Sequence, residues 1–406
     1  MNELQLQART IFDHALSSVD PRPAVKKAIE SQLDLPTGPI YSIAIGKAAT
    51  AMARGLEDAL GDKLTAPVLM ANGGHPLPDE NSLASAQAAF ALLDRANAEE
   101  ANVVFLISGG GSAMIEWPVS DEISLADLQA ANKTLISCGA HIAEVNAVRR
   151  AFSAVKGGAL ARRAPRAHAF TLIVSDTNPG DEANVASGPT LNPPADAPKA
   201  IDVVQHYQLE TLLPESIMKA VRTAITTRPV NGSHLVILDN ETAIKAAWLK
   251  AFELVTLNSM AVDICEQEIQ EGCDLLLAQL MARPQDATLC LVSGGEFSCP
   301  VRGNGCGGRN LETALRCAIR LGEERGKGPR FVALSAGTDG IDGNSPAAGA
   351  IADETTIERA QSLGLDAAEY LARSDSYTFF ERLNDLIVTG PTGTNVRDLR
   401  ILLRSP

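Results

Sequence analysis

The stretch VVFLISGGGS, residues 103–112, decides the fold class of this chain. It begins as a continuous apolar run, which is typical of a strand that is buried on both faces of a parallel sheet. It then ends in three glycines flanked by serines rather than in an ordinary turn. Ligands of open α/β sheets bind beyond the carboxyl ends of such strands. The stretch therefore predicts a buried strand that leads into a binding loop.

The same pattern recurs along the chain, where short apolar runs give way to glycine, hydroxyl and acidic residues. The other examples are SIAIGKAA (42–49), TLIVSDTNPGD (171–181), LCLVSGGEFS (289–298), FVALSAGTDGIDG (331–343) and LIVTGPTGTN (386–395). Helical segments lie between them, such as residues 124–142, where Ser124 and Asp127 have the spacing of a capping box. Alternation of strand and helix is typical of α/β proteins. We therefore expect layered α/β domains with mainly parallel sheets.

The length of 406 residues is enough for two domains, each with a core of its own. Proline, glycine and polar residues cluster at TTRPVNGSH (226–234), which is typical of a connection between periodic segments. We therefore place a domain boundary near residue 230. The prediction is an N-terminal Rossmann-like α/β domain at 1–230 and a C-terminal α/β domain at 231–406.

Charge and cysteine content narrow the class of partner. The chain has 35 basic and 49 acidic residues, a net charge of −14, which disfavours nucleic acid and anionic membranes as partners. No apolar run approaches the roughly 20 residues of a membrane span. The seven cysteines include no CxxC pair, so neither a disulfide framework nor a thiolate zinc site is indicated. We expect a reduced, cytoplasmic protein that acts on small molecules, either as a monomer or as a homodimer.

The SGGGS segment predicts a phosphate site. Consecutive glycines let the backbone approach a ligand closely and turn several N–H groups toward one point, which forms a nest for an anion. The flanking serines add hydroxyl donors. A tight turn without a ligand would need only one glycine, so we favour the nest. Its predicted phosphate-binding residues are Ser108, Gly109, Gly110, Gly111 and Ser112.

A second set of glycines follows in the C-terminal half. SGGE within 289–298 resembles the first loop, and GNGCGG (303–308) precedes a helical segment whose N-terminus would favour an anion. GNGCGG formally matches GxGxxG, but the next strand ends without the acid that a nicotinamide ribose requires. The match therefore does not indicate a dinucleotide site. The predicted phosphate-binding residues here are Gly294, Gly295, Glu296, Gly307 and Gly308.

Lys47 follows the strand at 42–45 and opens a helical segment. A positive charge at a helix N-terminus is unfavourable unless an anion is bound there. A Walker A loop is excluded, because Tyr41 and Ala48 stand where that motif needs glycine and Ser or Thr. Lys47 is therefore a candidate contact to a bound anion in a site of another kind.

Arg149, Lys156 and His75 are further candidate substrate contacts. In NAVRRAFSAVKGG (146–158), Arg149, Ser153 and Lys156 have the i, i+4 and i+7 spacing of one helix face. Arginine can bind a carboxylate through two parallel hydrogen bonds, although a solvated helix face explains the spacing equally well. His75 lies in the glycine and proline loop NGGHPLPD, where a substrate contact and a turn role are equally open.

Acidic loops indicate a metal. Asp176, Asp181, Asp339 and Asp342 follow predicted strand ends, where carboxylates can hold Mg²⁺ against phosphate oxygens. Aspartate is also an ordinary turn residue. In combination with the SGGGS nest, these acids predict a site for a nucleotide with magnesium. Asp339 and Asp342 are the predicted metal ligands.

Several long motifs carry a family resemblance. They lie in order between about residue 40 and residue 399 and read IAIGKAA, NGGHPLPDE, LISGGGSAM, EVNAVRRAFSAVKGG, SDTNPGDEANVASGPT, SGGEFSCPVRGNGCGGRNLE, SAGTDGIDGNSPAAGAIAD and LIVTGPTGTNVRDL. Together they resemble the two-domain glycerate 2-kinases, whose C-terminal part is called the MOFRL domain. Members have often been labelled hydroxypyruvate reductases. The resemblance implies ATP- and Mg²⁺-dependent phosphorylation of D-glycerate at its 2-hydroxyl, which gives 2-phosphoglycerate.

The resemblance also implies catalytic residues. It places Lys47 and Arg309 at a cleft between the domains, together with an acid of the SDTNPGD motif. That acid is either Asp176 or Asp181, because TNP at 177–179 departs from the more familiar valine-rich form. Two alternatives stay open: an NAD(P)H-dependent hydroxypyruvate reductase and a non-catalytic protein that binds sugar phosphates.

Overall fold

The computed structural model divides into two compact units. The first unit is Pro21–Leu238, and the second joins Met1–Asp20 to Asp239–Pro406. The N-terminal helix α1 (Glu3–Ser18) therefore belongs to the second unit, and the chain changes unit after Leu238. The predicted boundary at 230 and 231 includes Asn231, which lies outside the described residues. Those described residues are 1–224, 229–230, 232–283 and 286–406.

The first unit is built around a parallel sheet. Its strands are β1 (Ile40–Ile45), β2 (Leu69–Met70), β3 (Asn102–Ser108), β4 (His168–Val174) and β5 (Ser233–Leu238). They lie in the order β2-β1-β3-β4-β5, and each pairing of neighbours is parallel. Its helices are α2 (Pro21–Ser31), α3 (Ala49–Leu60), α4 (Glu80–Ala98), α5 (Leu125–Ser137), α6 (Ile142–Phe152), α7 (Ala159–Arg162), α8 (Ala200–His206) and α9 (Glu215–Thr223).

The apolar runs form buried strands in this unit because helices cover both sides of the sheet. The residues of β1 and β3 are buried along their whole length. Their odd-numbered side chains, among them Ile43 and Phe105, share one core cluster with Leu93 of α4. The predicted capping box is confirmed as well, since the Asp127 amide donates to Ser124 Oγ at 3.1 Å at the start of α5.

The strand order sets where a ligand can bind. The chain passes from β1 to an outer neighbour, β2, and then returns to the other side of β1 with β3. This is the switch point of a doubly wound sheet, and the crevice beyond β1 and β3 is the ordinary ligand position in such folds. Ile45 pairs with Ile107 at the carboxyl ends of these strands. The loops that begin at Gly46 and Gly109 therefore lie at the switch point.

The second unit has a mixed sheet. Its strands are β6 (Leu257–Met260), β7 (Leu289–Gly295), β8 (Arg330–Gly337), β9 (Gly349–Asp353), β10 (Leu386–Ile387) and β11 (Asp398–Ser405), in the order β10-β9-β8-β11-β7-β6. Its helices, besides α1, are α10 (Asn240–Leu254), α11 (Ile269–Met281), α12 (Arg309–Gly322), α13 (Thr356–Ser362), α14 (Ala367–Ala372) and α15 (Ser376–Leu383). The pairing of β6 with β7 is parallel, and the other pairings of the described strands are antiparallel.

The α/β class of the chain is thus confirmed, but the second sheet differs from the expectation of mainly parallel strands. Here too helices cover both faces, with α1 and α10 on one side and α11 on the other. A strand buried on both faces reads as a continuous apolar run whichever way it runs, so burial does not encode strand direction. No helix among the described residues combines the length and apolar character that a membrane span requires.

Candidate active site

The ends of β1 and β3 are tied together at the switch point. The Lys47 amide donates to the Gly109 carbonyl at 2.9 Å, and the Ala48 amide donates to Ser108 Oγ at 3.0 Å. Gly46 has φ +110, and a Cβ there would overlap Ser108. Close backbone approach and a positive φ both require glycine at this position. The loop that carries Lys47 is therefore held directly against the SGGGS segment.

The three glycines of SGGGS each accommodate a different neighbour. A Cβ on Gly109 would fall on the carboxylate of Asp176, and one on Gly110 would lie 3.0 Å from Lys47 Cγ. A Cβ on Gly111 would lie 2.7 Å from Ile45 Cγ2. A single glycine would not serve here, because every one of the three positions lacks room for a side chain. The arrangement brings a lysine and a carboxylate to the same glycine segment.

Lys47 is exposed and His75 lies near it. Desolvation, and then the positive charge of Lys47, hold the pKa of His75 below its usual range. The imidazole is therefore mainly neutral at neutral pH. A neutral imidazole can both donate and accept a hydrogen bond, which suits a contact to a polar substrate.

The two acids of the SDTNPGD motif lie in different surroundings. Asp176 follows β4 by two residues, and its carboxylate lies against Gly109. Asp181 is exposed and precedes the short 3-10 segment Glu182–Ser187 as its N-cap residue. The structure thus brings Asp176 to the glycine segment, which favours it of the two acids that the sequence left open.

The two serines of SGGGS also differ. Ser108 is fully buried, accepts from the Ala48 amide and donates to the Ile45 carbonyl at 3.3 Å. Its single hydroxyl hydrogen is thus used inside the protein in this structure, and a phosphate contact of Ser108 stays a prediction. Ser112 is partly exposed, and its hydroxyl lies 2.8 Å from that of Ser187.

The basic helix face predicted for 149–156 does not form. Helix α6 ends at Phe152, so Lys156 lies beyond the helix. Lys156 forms an ion pair with Glu116, and each side chain is 1% exposed. Burial lowers the pKa of Lys156, and the Glu116 carboxylate opposes that shift. Arg149 is buried too, and its Nε donates to Asn132 Oδ1 at 2.9 Å. In this structure both cations are internal, so the helix face predicted from their spacing is wrong, and their contact with substrate stays a prediction.

In the second unit, Arg309 lies at the start of α12 and is held by two acids. Its Nε donates to Asp398 Oδ2 at 2.6 Å, and its Nη2 donates to Asp398 Oδ1 at 3.1 Å and to Glu296 Oε1 at 2.6 Å. Asp398 pairs with Gly295 of β7 and Gly337 of β8, so it lies where two strand ends meet. Burial alone would lower the pKa of Arg309, but these two carboxylates outweigh it and raise the pKa.

The predicted metal ligand Asp342 has another role. It is 3% exposed, and its carboxylate accepts from the amides of Asn310 at 3.0 Å and Leu311 at 2.8 Å. Both of its oxygens therefore cap the N-terminus of α12. Burial, the largest effect, raises the pKa of Asp342 to about 7. The helix N-terminus that the sequence offered to a phosphate is thus occupied by a side chain of the protein.

The C-terminal glycines predicted to bind phosphate are closely packed against other segments. Gly294 and Gly295 are buried in β7, where the Gly295 amide donates to Asn240 Oδ1 at 2.7 Å. A Cβ on Gly308 would lie 2.5 Å from the Gly343 amide nitrogen. A Cβ on Gly307 would lie 2.6 Å from Ser376 Oγ. Glu296 is taken up by the ion pair with Arg309. Phosphate binding by these residues stays a prediction.

The acidic side chains other than Asp342 were also candidates to hold a metal. In the described part of the chain, no three His, Cys, Asp or Glu side chains group together as a metal site. Asp339 lies in the loop after β8, where its carboxylate accepts from the Ile341 amide at 3.2 Å. Mg²⁺ that arrives with a nucleotide needs only one or two protein carboxylates besides the phosphates. Asp176, beside the glycine segment, fits that requirement.

Sequence reasoning missed three participants in these clusters. Asp398, which anchors Arg309, directly precedes the largely apolar segment LRILL (399–403). An acid at the start of such a segment was a usable signal. Glu116, the partner of Lys156, similarly interrupts an apolar segment after SGGGS. Ser187 carries no comparable signal, because serine in a loop is unremarkable; only its position beneath Ser112 makes it relevant.

Comparisons with known proteins agree with this architecture. Residues 7–222 match the family described as a domain of unknown function, DUF4147, and residues 289–398 match the MOFRL family. A D-glycerate 2-kinase of Thermotoga maritima is 34% identical, over 98% of each chain. A protein of Agrobacterium vitis named "Putative hydroxypyruvate reductase" is 35% identical, over 97% of this chain and 93% of its own. The crystal structure of a Thermotoga maritima glycerate kinase matches with a TM-score of 0.84 and 32% identity, and the match covers 98% of this chain and 99% of that one.

The parallel sheet with its glycine segment, followed by a MOFRL region, defines a class of two-domain α/β kinases. Within that class, the chain belongs to the glycerate 2-kinase family with a C-terminal MOFRL domain, which confirms the resemblance of its motifs. Relatives at similar identity carry both kinase and reductase names.

Proposed function

We propose that this enzyme transfers a phosphoryl group from ATP to the 2-hydroxyl of D-glycerate, with Mg²⁺, and releases 2-phosphoglycerate. The observation that carries the proposal is the convergence of Lys47 and Asp176 on the SGGGS segment at the switch point of the parallel sheet. A cation, a carboxylate and backbone amides are the groups that a nucleotide phosphate with magnesium requires.

Phosphoryl transfer needs little covalent chemistry from a protein. The enzyme must hold the attacking and leaving oxygens in line and neutralise the charge of the transferring group. Lys47 supplies a positive charge beside Gly110, and the backbone amides of 109–111 supply donors. Asp176, whose carboxylate lies against Gly109, would hold Mg²⁺, and the metal would supply positive charge to the phosphate oxygens. In the alternative assignment, the Asp176 carboxylate accepts the proton of the glycerate hydroxyl instead of holding the metal.

Arg309 is the second cation of the proposal. Asp398 holds two of its nitrogens, so the guanidinium has a fixed orientation and remains protonated. The side chain is 36% exposed and so stays accessible to an anionic ligand. That Lys47 and Arg309 act on the same phosphoryl group stays a prediction from the family resemblance. Its test is the effect of Arg309→Ala on the rate of phosphoryl transfer.

One feature of the second unit favours a kinase over a reductase. In a dinucleotide fold, the GxGxxG loop directly joins a strand to a helix whose N-terminal amides receive the pyrophosphate. Here β7 ends at Gly295, well before GNGCGG (303–308), and the first amides of α12 donate to Asp342. The loop therefore lacks both the connection and the free donors that a nicotinamide cofactor needs.

The deciding experiment measures both activities on one preparation. Purified protein receives D-glycerate, ATP and Mg²⁺, and ADP formation is followed; phosphorus NMR then locates the phosphate on the product. A parallel reaction follows NADH oxidation with hydroxypyruvate. We expect ADP release that depends on glycerate, and 2-phosphoglycerate as product. NADH consumption alone would establish the reductase, 3-phosphoglycerate would refute the regiochemistry, and binding without turnover would indicate a non-catalytic protein.

A matched pair of lysine variants tests the site. Lys47→Ala removes the cation beside Gly110, and loss of one such stabilising group typically lowers kcat by about 100-fold or more. Lys63→Ala removes an exposed lysine from the short 3-10 segment Gly61–Lys63 of the same unit. We expect normal kcat for the control. Equal activity of the two variants would contradict the assignment of Lys47.

A further inference from the structure

A chain of hydrogen bonds runs beneath the SGGGS segment and ends at Ser112. Arg150 Nη2 donates to Asn184 Oδ1 at 2.9 Å, and Asn146 Nδ2 lies 3.3 Å from the same oxygen. Ser187 Oγ then donates to Asn146 Oδ1 at 2.8 Å and lies 2.8 Å from Ser112 Oγ. Asn146 and Ser187 are completely buried.

The direction of this chain is set at its arginine end. A guanidinium carries donors and no acceptor, so Asn184 must turn its carbonyl oxygen toward Arg150. Asn146 meets that oxygen and the Asn184 backbone carbonyl with its NH₂ group, each at 3.3 Å. The reverse orientation of Asn146 would set its oxygen against two acceptors. Its carbonyl oxygen therefore faces Ser187.

The polarity of Ser112 follows from this direction. A serine hydroxyl has one hydrogen and two lone pairs. Ser187 gives its hydrogen to Asn146, so the contact between the two serines forms only if Ser112 donates to Ser187. Ser112 is left with lone pairs and no hydrogen to offer a ligand. Phosphate oxygens are acceptors as well, so the predicted role of Ser112 as a phosphate donor is not available to it.

The backbone beneath Ser112 is strained to keep this contact. Ala186 and Ser187 have φ values of +50 and +62, in the left-handed region that side-chain-bearing residues seldom adopt. The Gly157 amide donates to the Ser187 carbonyl at 3.1 Å and helps to hold the strained turn. Strain that the surroundings maintain is concentrated at functional sites. Here it sets the Ser187 hydroxyl beneath Ser112.

We propose that Ser112 is a substrate-binding acceptor, which receives the hydrogen of a hydroxyl group of the hydroxy-acid substrate. This inference rests on the proposed function. Where the γ-phosphate is held at 109–111, the hydroxyl that attacks it is the nearest substrate group that carries a hydrogen, whereas the ribose lies at the far end of the triphosphate. Asn146 and Ser187 are positioning residues, because they act on the substrate only by directing the Ser112 hydroxyl.

The kinetic test uses three serine variants. Ser112→Ala removes the acceptor, and Ser187→Ala releases the Ser112 hydrogen so that the hydroxyl can turn. Ser42→Ala is the control, because Ser42 is a buried serine of β1 whose hydroxyl lacks a hydrogen-bond partner among the described residues. Loss of one neutral hydrogen bond predicts that the first two variants raise the KM for glycerate about two- to tenfold. The KM for ATP and the Mg²⁺ requirement stay unchanged, and the control retains normal values.

Substrate analogues identify the hydroxyl. D-Lactate lacks the 3-hydroxyl and 3-hydroxypropanoate lacks the 2-hydroxyl, so each serves as an inhibitor without one of the two donors. The inhibition constant of the analogue that lacks the contacted hydroxyl should be equal in wild type and Ser112→Ala. The other analogue should bind Ser112→Ala more weakly than wild type, by the same factor as glycerate. The proposal would be overturned if both analogues lost the same affinity in Ser112→Ala. A raised Mg²⁺ requirement would also overturn it, because Ser112 would then be a metal ligand. So would a raised KM for ATP.

A binding measurement separates this proposal from the proposed function. Calorimetry gives the Kd of D-glycerate for wild type and Ser112→Ala with Mg²⁺ and a non-hydrolysable ATP analogue. Weaker binding to the variant supports the role of Ser112 even if wild type releases no ADP, a result that would refute the kinase alone. Wild type that does not bind glycerate would overturn both. An unchanged Kd in the variant would overturn the Ser112 proposal while the kinase activity stands.

Discussion

The buried ion pair between Glu116 and Lys156 allows a quantitative prediction. Glu116→Gln leaves the Lys156 ammonium without its charged partner at a site where both side chains are 1% exposed. The carboxylate also accepts from the Trp117 amide at 3.0 Å and from the Ser153 hydroxyl. Breaking a buried pair by removing one partner costs about 3–5 kcal/mol. For a domain of this size that corresponds to a fall in melting temperature of about 10 °C.

The loss of stability caused by Glu116→Gln should depend on pH. Burial already lowers the pKa of Lys156 below its ordinary 10.5, and Glu116 opposes that shift. Without the carboxylate the folded pKa falls further. The unfolded chain then takes up a proton that the folded chain resists, so stability is greatest at high pH and is lost as the pH falls. Glu116→Gln should therefore be more destabilised at about pH 6 than at about pH 9, as measured by urea unfolding.

A double variant separates the structural role from substrate binding. Glu116→Gln with Lys156→Met removes both charges, and replacing a buried ion pair by uncharged groups of similar volume is often neutral or stabilising. We expect most of the lost stability to return and the KM for glycerate to match wild type. A double variant with a normal melting temperature and a KM raised more than tenfold would refute this reasoning, because Lys156 would then bind substrate. A loss below about 1 kcal/mol in Glu116→Gln would refute the energetic argument.

Three further predictions follow from the two sites. Gly109→Ala places a Cβ on the carboxylate of Asp176, so kcat should fall more than about tenfold while overpacking costs about 1–3 kcal/mol; an unchanged kcat would contradict the role of Asp176. Asp398→Asn breaks the bidentate hold on Arg309, so kcat should fall about tenfold or more in a variant that circular dichroism shows to be folded; wild-type kcat would show that this hold is not needed. Asp342 has a pKa raised from 3.8 to about 7. The stability contributed by its bound proton is complete below about pH 4 and is lost as the pH rises toward 7. Between pH 5 and pH 8, the free energy of unfolding of wild type, measured with urea, should therefore fall by about 3 kcal/mol more than that of Asp342→Asn. Parallel plots of the two free energies against pH would disprove this prediction.

Much of the first unit could be predicted from local sequence. The apolar runs at 42–45, 103–107 and 171–174 form strands of one parallel sheet, and the capping box at Ser124 begins a helix. These features depend on neighbouring residues and on burial, which composition and periodicity report directly. The membership of α1 in the second unit could not be predicted in this way, because it depends on contacts with residues more than 200 positions away.

In the candidate site too, some features could be predicted from local sequence and others depend on distant contacts. Three consecutive glycines after a buried strand predicted a close approach, and the structure has one at each of them. Spacing could not reveal that α6 ends before Lys156 or that the Asp342 carboxylate occupies the N-terminus of α12. A charged residue in a sequence is a candidate ligand until its partners are known. Those partners come from distant segments of the chain.

By itself the sequence determined the α/β class, the strands with their glycine-rich ends, and the family, since these depend on local periodicity and on ordered motifs. Tertiary structure alone decided which neighbours each charged group has. Asp176 lies against Gly109, whereas Lys156 and Asp342 are taken up by internal partners. It also decided that Ser112 presents lone pairs, because the direction of a hydrogen-bond chain depends on the donor at its far end. Charge and hydrogen-bond polarity are properties of assembled groups, and assembly requires the fold.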